Sequence, residues 1–93
     1  MAALDPTRFK HFNTLFPAFT PTQSKYAYLY AKGLSRAEIS ELAQVSRQVI
    51  SQHLQLAAKK IGVTSLATFR TAIQIELDLL ILEQISRARV LSC

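Results

Sequence analysis

The sequence predicts an all-α fold, a helix-turn-helix bundle of about five helices closed by one long C-terminal helix. Three observations carry that expectation. Apolar residues recur at threes and fours with almost no strict alternation, which is the period of helices and not of strands. Only two glycines and three prolines interrupt the chain. A capping residue precedes each apolar-periodic segment, at Asp5, Thr20, Ser35, Ser46 and Thr64 or Ser65. At 93 residues the chain is long enough for one core and one domain. It divides into an accessory helix over 5–17, a core over 19–63 and a long helix over 65–90.

Asp5-Pro6 opens the first helix, with the aspartate as cap and the proline where its missing amide costs nothing. Phe9, Phe12, Leu15 and Phe16 line one face, and Pro17 ends the helix. Such an aromatic stripe fits packing on another helix better than a membrane surface. Thr20-Pro21-Thr22-Gln23 repeats the start signal, and Gly33 supplies the left-handed residue that stops the second helix. Its face of Tyr26, Leu29 and Tyr30, with Ala27 and Ala31, is expected to pack against Ile39 and Leu54. The tyrosines could stack on bases instead, but at helical spacing the core is the better assignment.

Residues 34–61 form the centre of the chain. Ser35 and Glu38 have capping-box spacing, and Ser46 caps a second helix. Between these helices Ile39, Leu42 and Val45 are expected to turn inward while the chain changes direction, as in a helix-turn-helix. In the second of them Ile50, Leu54, Ala57 and Ile61 share one face at about 100° per residue. Gln48, Gln52, Gln55 and Lys59 lie opposite, with Ser51 on the flank, and this outer face holds no acid. Glutamine pairs with adenine in bidentate fashion and serine serves several base edges, so the face suits a DNA groove. A polar face that meets only water is the alternative.

Charge supports a polyanion partner for the first part of the chain. The total is +5, and Arg8, Lys10, Lys25, Lys32, Arg36, Arg47, Lys59 and Lys60 stand against Glu38 and Glu41 in residues 7–60. After residue 60, Arg70, Arg87 and Arg89 are balanced by Glu76, Asp78 and Glu83. One cysteine, Cys93, excludes an internal disulfide and a cysteine-based metal cluster. His11 and His53 are isolated, and no phosphate loop or catalytic set stands out, so neither an enzyme nor a metal or cofactor site is expected. The N-terminal residues lack the apolar run of a secretory signal, and the most apolar segment, 72–82, is too short for a membrane span. A cytoplasmic protein is expected, nucleoid-associated when bound to DNA.

In register along residues 19–69, Phe19-Thr20-Pro21, Ala31-Lys32-Gly33-Leu34-Ser35, Glu38-Ile39, Val45-Ser46, Val49-Ile50, His53-Leu54 and Lys59-Lys60-Ile61-Gly62-Val63 resemble the LuxR-type DNA-binding domain, also called the GerE or NarL/FixJ type. The resemblance implies a bacterial transcription factor whose third helix lies in the major groove of double-stranded DNA and whose fourth forms a dimer contact. Carried over by position, it implies Gln48, Ser51, Gln52 and Gln55 as base contacts. Thr20, Ser35, Arg36, Arg47, His53, Lys59 and Lys60 follow as backbone contacts, with a packed core role equally open for His53. The chain departs from the pattern where it has Ser51 for a common lysine, Gln44 for glycine or asparagine, and Gln23 for glutamate.

The helix after Ser65 is the most individual feature. Leu66, Phe69, Ile73, Leu77, Leu80, Ile81 and Ile85 form one stripe, and Ala72, Ile75, Leu79 and Leu82 another. A helix apolar on two sides must be covered on both. The expectation is an obligate homodimer joined through the first stripe, with Phe9, Phe12 and Phe16 filling the second side. Docking on a different protein partner is the competing arrangement. Two functions follow: a dimeric, sequence-specific DNA-binding regulator, or an interaction protein that captures and inhibits another regulator. A sigma region-4-like module is a third reading, which the long apolar helix disfavours.

Overall fold

The computed structural model describes residues 6–92, with side chains placed over residues 8–89. Asp5, expected as a cap, and Cys93 lie outside the described residues. A 3-10 turn at Pro6–Phe9 leads into α1 (Lys10–Leu15), followed by α2 (Pro21–Ala31), α3 (Arg36–Ala43), α4 (Arg47–Lys60) and α5 (Leu66–Ser92). The protein is an all-α bundle with no strand among the described residues. No helix in that range is long and apolar enough to cross a membrane.

Thr20, Ser35, Ser46 and Ser65 act as the caps that the sequence predicts. Thr20 Oγ1 accepts from the Gln23 amide at 3.1 Å, while Gln23 Oε1 accepts from the Thr20 amide at 3.1 Å. Ser35 and Glu38 exchange the same pair of bonds at 3.1 and 2.9 Å. Ser46 caps α4 through the Val49 amide, and Ser65 caps α5 through that of Thr68. Gly33 (φ 104°) ends α2: the Leu34 amide reaches the Leu29 carbonyl at 3.3 Å and the Gly33 amide that of Tyr30 at 3.1 Å. These paired bonds satisfy carbonyls that the helix itself leaves open.

α2, α3, α4 and α5 meet in one core. Ala27, Ile39, Ile50, Leu54, Ala57, Phe69 and Ile73 have no solvent contact, and Tyr26, Tyr30 and Phe19 are nearly as enclosed. Leu29 is half-buried against the edge of this cluster. α1 is tied on by aromatic contacts: Phe9 and Phe12 meet the Tyr28 ring edge to face at 5.7 and 5.6 Å, and Phe16 stacks on Phe19 at 5.2 Å. Asn13 Nδ2 adds bonds to the Phe19 carbonyl (2.9 Å) and to Ser24 Oγ (2.8 Å), satisfying a fully buried hydroxyl.

Several expectations are corrected. The first helix starts as a 3-10 turn. Val45 stays 37% exposed because the chain leaves α3 through Gln44 in the left-handed conformation (φ 58°), which turns the next residue outward. The aromatic stripe spends itself chiefly on α2, and so cannot cover the second side of α5. Of the residues expected at a dimer contact, Phe69, Ile73 and Leu77 face the protein's own core, and Leu66 is half-buried beside them. The physical reason is that the core over 19–63 has no other lid: without Phe69 and Ile73, the inner face of α4 would meet water.

Arg70 fixes the lid. Its Nε donates to the Tyr30 carbonyl at 2.8 Å, its Nη2 to that of Leu34 at 3.1 Å, and its guanidinium lies 3.8 Å from the Tyr30 ring centroid. A cation therefore sits at the carbonyl end of α2, where the helix dipole favours it. We expect Arg70→Ala to cost about 2–3 kcal/mol in urea unfolding, because charged hydrogen bonds are lost and the Leu34 carbonyl loses its donor; Arg70→Lys should recover only part, since an ammonium lacks the fork. Gln44→Gly should stabilise the protein by about 0.5–1 kcal/mol, the relief of a left-handed Cβ being partly offset by backbone entropy.

Candidate nucleic-acid interface

α4 has a buried side and a free side, and packing of the first exposes the second. Ile50, Leu54 and Ala57 are sealed against α2, α3 and α5. Gln48, Gln52, Gln55 and Lys59 are consequently all exposed in one row, and Arg47 stands exposed at the helix start. Ser51 lies half-buried on the flank facing α3.

There Arg36 reaches across from the first turn of α3, and its Nη1 donates to Ser51 Oγ at 3.1 Å. The two line an open cleft of about 420 Å³ between the starts of α3 and α4, together with Ser35, Ala37, Arg47 and Gln48. Two guanidinium groups, two hydroxyls and an amide thus gather in one concavity. Thr20 and Ser35, expected to touch a backbone, are exposed at the starts of α2 and α3, with their hydroxyls accepting the cap bonds.

Two expected contacts are placed differently. Lys60 Nζ donates to Gln23 Oε1 at 2.7 Å, so its charge is tied to the start of α2. Gln23 is 5% exposed, and this bond gives its oxygen a second partner beside the Thr20 amide. His53 packs edge to face on Tyr26 at 5.4 Å, and its Nδ1 is enclosed with no partner among the described residues. The ring is half-buried because its position flanks Ile50 and Leu54, and it packs on Tyr26 without the hydrogen bond that a core histidine would make.

Sequence reasoning left out Leu56, which is 52% exposed. It lies only about 40° around α4 from Gln52, and the wheel alone could have found it. The Arg36–Ser51 bond joins positions fifteen residues apart and has no sequence signal.

On α5, the exposed face is a second apolar surface. Ile75, Leu79, Ile81, Leu82 and Ile85 are each about half exposed, and every described residue from 81 to 89 is exposed. Ile81 and Ile85 are thus free, whereas Leu80 is half-buried at an apolar groove that Phe9, Phe12, Leu15, Tyr28 and Leu29 also line. Among the described residues no three His, Cys, Asp or Glu side chains gather to hold a metal. No protein-family model, curated protein or solved structure matches the chain.

The acid behaviour of this surface follows from the cap of α3. Bonds from Ser35, first the backbone amide and then the side chain, hold the Glu38 carboxyl below its ordinary value. A group depressed on folding stabilises above its unfolded pKa and loses that contribution as pH falls through the folded one. Glu38→Gln is expected to lower stability slightly near neutrality, where the carboxylate contribution is fully present, and to flatten the acid limb below about pH 4.5, so that the two proteins converge in acid. Thermal melts of both proteins from pH 3 to 7 check it.

Proposed function

We propose that the chain is a bacterial transcriptional regulator of the LuxR type, binding specific DNA as a homodimer with α4 in the major groove. The observation that carries this reading is the acid-free outer row of α4, exposed over Gln48, Gln52, Gln55 and Lys59 by a fully packed inner face. A ridge of amides and one cation on a rigid helix has the chemistry that base edges and flanking phosphates require. Leu56 beside it offers an apolar contact of the kind a thymine methyl accepts. Arg47 and Arg36 supply the charge at the start of the helix, and Lys60 is left out of the contact set by its bond to Gln23.

Dimerisation in this reading uses the outer face of α5 over Ile75, Leu79, Leu82, Ile81 and Ile85. Covering the exposed half of five aliphatic side chains contributes about 1 kcal/mol each, or roughly 10 kcal/mol for the pair. That is comparable to the roughly 4–15 kcal/mol that association costs in lost freedom. The dimer is therefore reversible, in contrast to the obligate one expected when Phe69, Ile73 and Leu77 were assigned to it. DNA that holds two copies side by side shifts the balance.

A second reading is favoured by one feature, the apolar groove between α1, α2 and α5. Phe9, Phe12, Leu15, Leu29, Leu77 and Leu80 line it, together with Tyr28, Arg8 and His11. An interaction protein that captures another regulator through this groove and helix would bind DNA poorly and its partner tightly.

Titration of a fluorescent duplex pool against salt separates the two. The regulator reading expects affinity that falls steeply with salt. Gln52→Ala should lower discrimination between sequences, while Lys59→Ala should weaken all sequences alike and reduce the salt slope by about one unit. Absence of salt-dependent binding at low ionic strength contradicts it.

A further inference from the structure

We propose that Arg36 and Ser51 form one composite reader that selects a guanine edge in the major groove, an inference that rests on the DNA-binding reading above. Between Arg47 and Lys59 the outward positions of α4 carry no cation. Arg36 supplies one from the neighbouring helix. Its Nη1 lies 3.1 Å from Ser51 Oγ, and the direction of that bond decides what the pair can recognise.

Arginine has N–H donors and no acceptor, so in this bond the serine oxygen must accept. The serine proton is then directed away from Arg36, and the guanidinium keeps its remaining N–H groups for other partners. Side by side, the pair presents donors and a positive charge. Guanine offers two acceptors, O6 and N7, on its major-groove edge, whereas adenine offers one acceptor and one donor. The guanidinium, which has no acceptor, therefore matches the two acceptors of guanine and meets the adenine amino group donor to donor. The free amides of Gln52 and Gln55, each with both a donor and an acceptor, suit adenine instead.

Two further features support this assignment. Among the described residues no carboxylate pairs with Arg36, and the nearby Glu38 carboxylate is already engaged by the Ser35 amide. The cleft between the starts of α3 and α4 is open and is shared by Arg47 and Gln48, which leaves room for a base edge to approach the guanidinium. Ser51 acts here as a positioning residue as well as a contact: it holds a long side chain that would otherwise sample many rotamers, reducing what is lost on binding.

The test is selection of duplexes from a randomised pool by the wild-type chain and by Arg36→Lys, Ser51→Ala and Arg47→Ala. Wild type should enrich guanine at one position of each half-site. Arg36→Lys, which keeps the charge but not the fork, and Ser51→Ala, which removes the hydroxyl, should each lose that preference, with about a tenfold drop in affinity for the guanine-bearing site. The salt slope of Arg36→Lys should stay unchanged, and Arg47→Ala should weaken all sequences alike. Arg36 and Arg47 are exposed and Ser51 is half-buried, and circular dichroism checks that each variant remains helical. A guanine preference that survives both Arg36→Lys and Ser51→Ala, or a loss that is uniform over all sequences, overturns the composite reader while leaving DNA binding intact. No salt-dependent binding by the wild-type chain overturns both.

Discussion

Everything on the surface of this protein depends on how α5 closes the core. Phe69 and Ile73 lie without solvent contact against α2 and α4, and Arg70 bonds two carbonyls at the end of α2 while stacking on Tyr30. Apolar burial supplies the drive, and the guanidinium fork supplies the angle. With α5 seated, the inner face of α4 has no freedom to roll, and the row from Gln48 to Lys59 is held outward. The exposure of the candidate reading face is thus a consequence of packing on its other side.

The same closure explains the division of labour along α5. Its first turns are spent inside the protein, so its later turns carry the exposed aliphatic face. A helix of 27 residues is about 40 Å long, more than the body beneath it covers. One end is therefore a lid, and the other carries the exposed aliphatic side chains Ile81, Leu82 and Ile85.

Local signals were the legible ones. Thr20 with Gln23, Ser35 with Glu38, and Gly33 at the end of α2 each depend on residues within a few positions, and each forms as expected. The inner face of α4 was also legible, since Ile50, Leu54 and Ala57 repeat at the helical period. What the sequence could not reveal is which of two apolar stripes on α5 turns inward, because both have the same period and similar hydrophobicity. The choice is made by contacts forty residues away, between Arg70 and Tyr30. The candidate site divides in the same way: the row of glutamines follows from spacing, while the Arg36–Ser51 bond, the Lys60–Gln23 bond and the His53–Tyr26 contact depend on how separate helices meet.

The most direct test of a weak dimer completed by DNA is the mass of the particle, measured by sedimentation across protein concentration with and without a short duplex. A reversible monomer–dimer equilibrium in the free protein and two chains on each duplex at saturation is the result the account predicts. One chain per duplex at saturation, or a duplex that sediments unchanged at low salt, would contradict it.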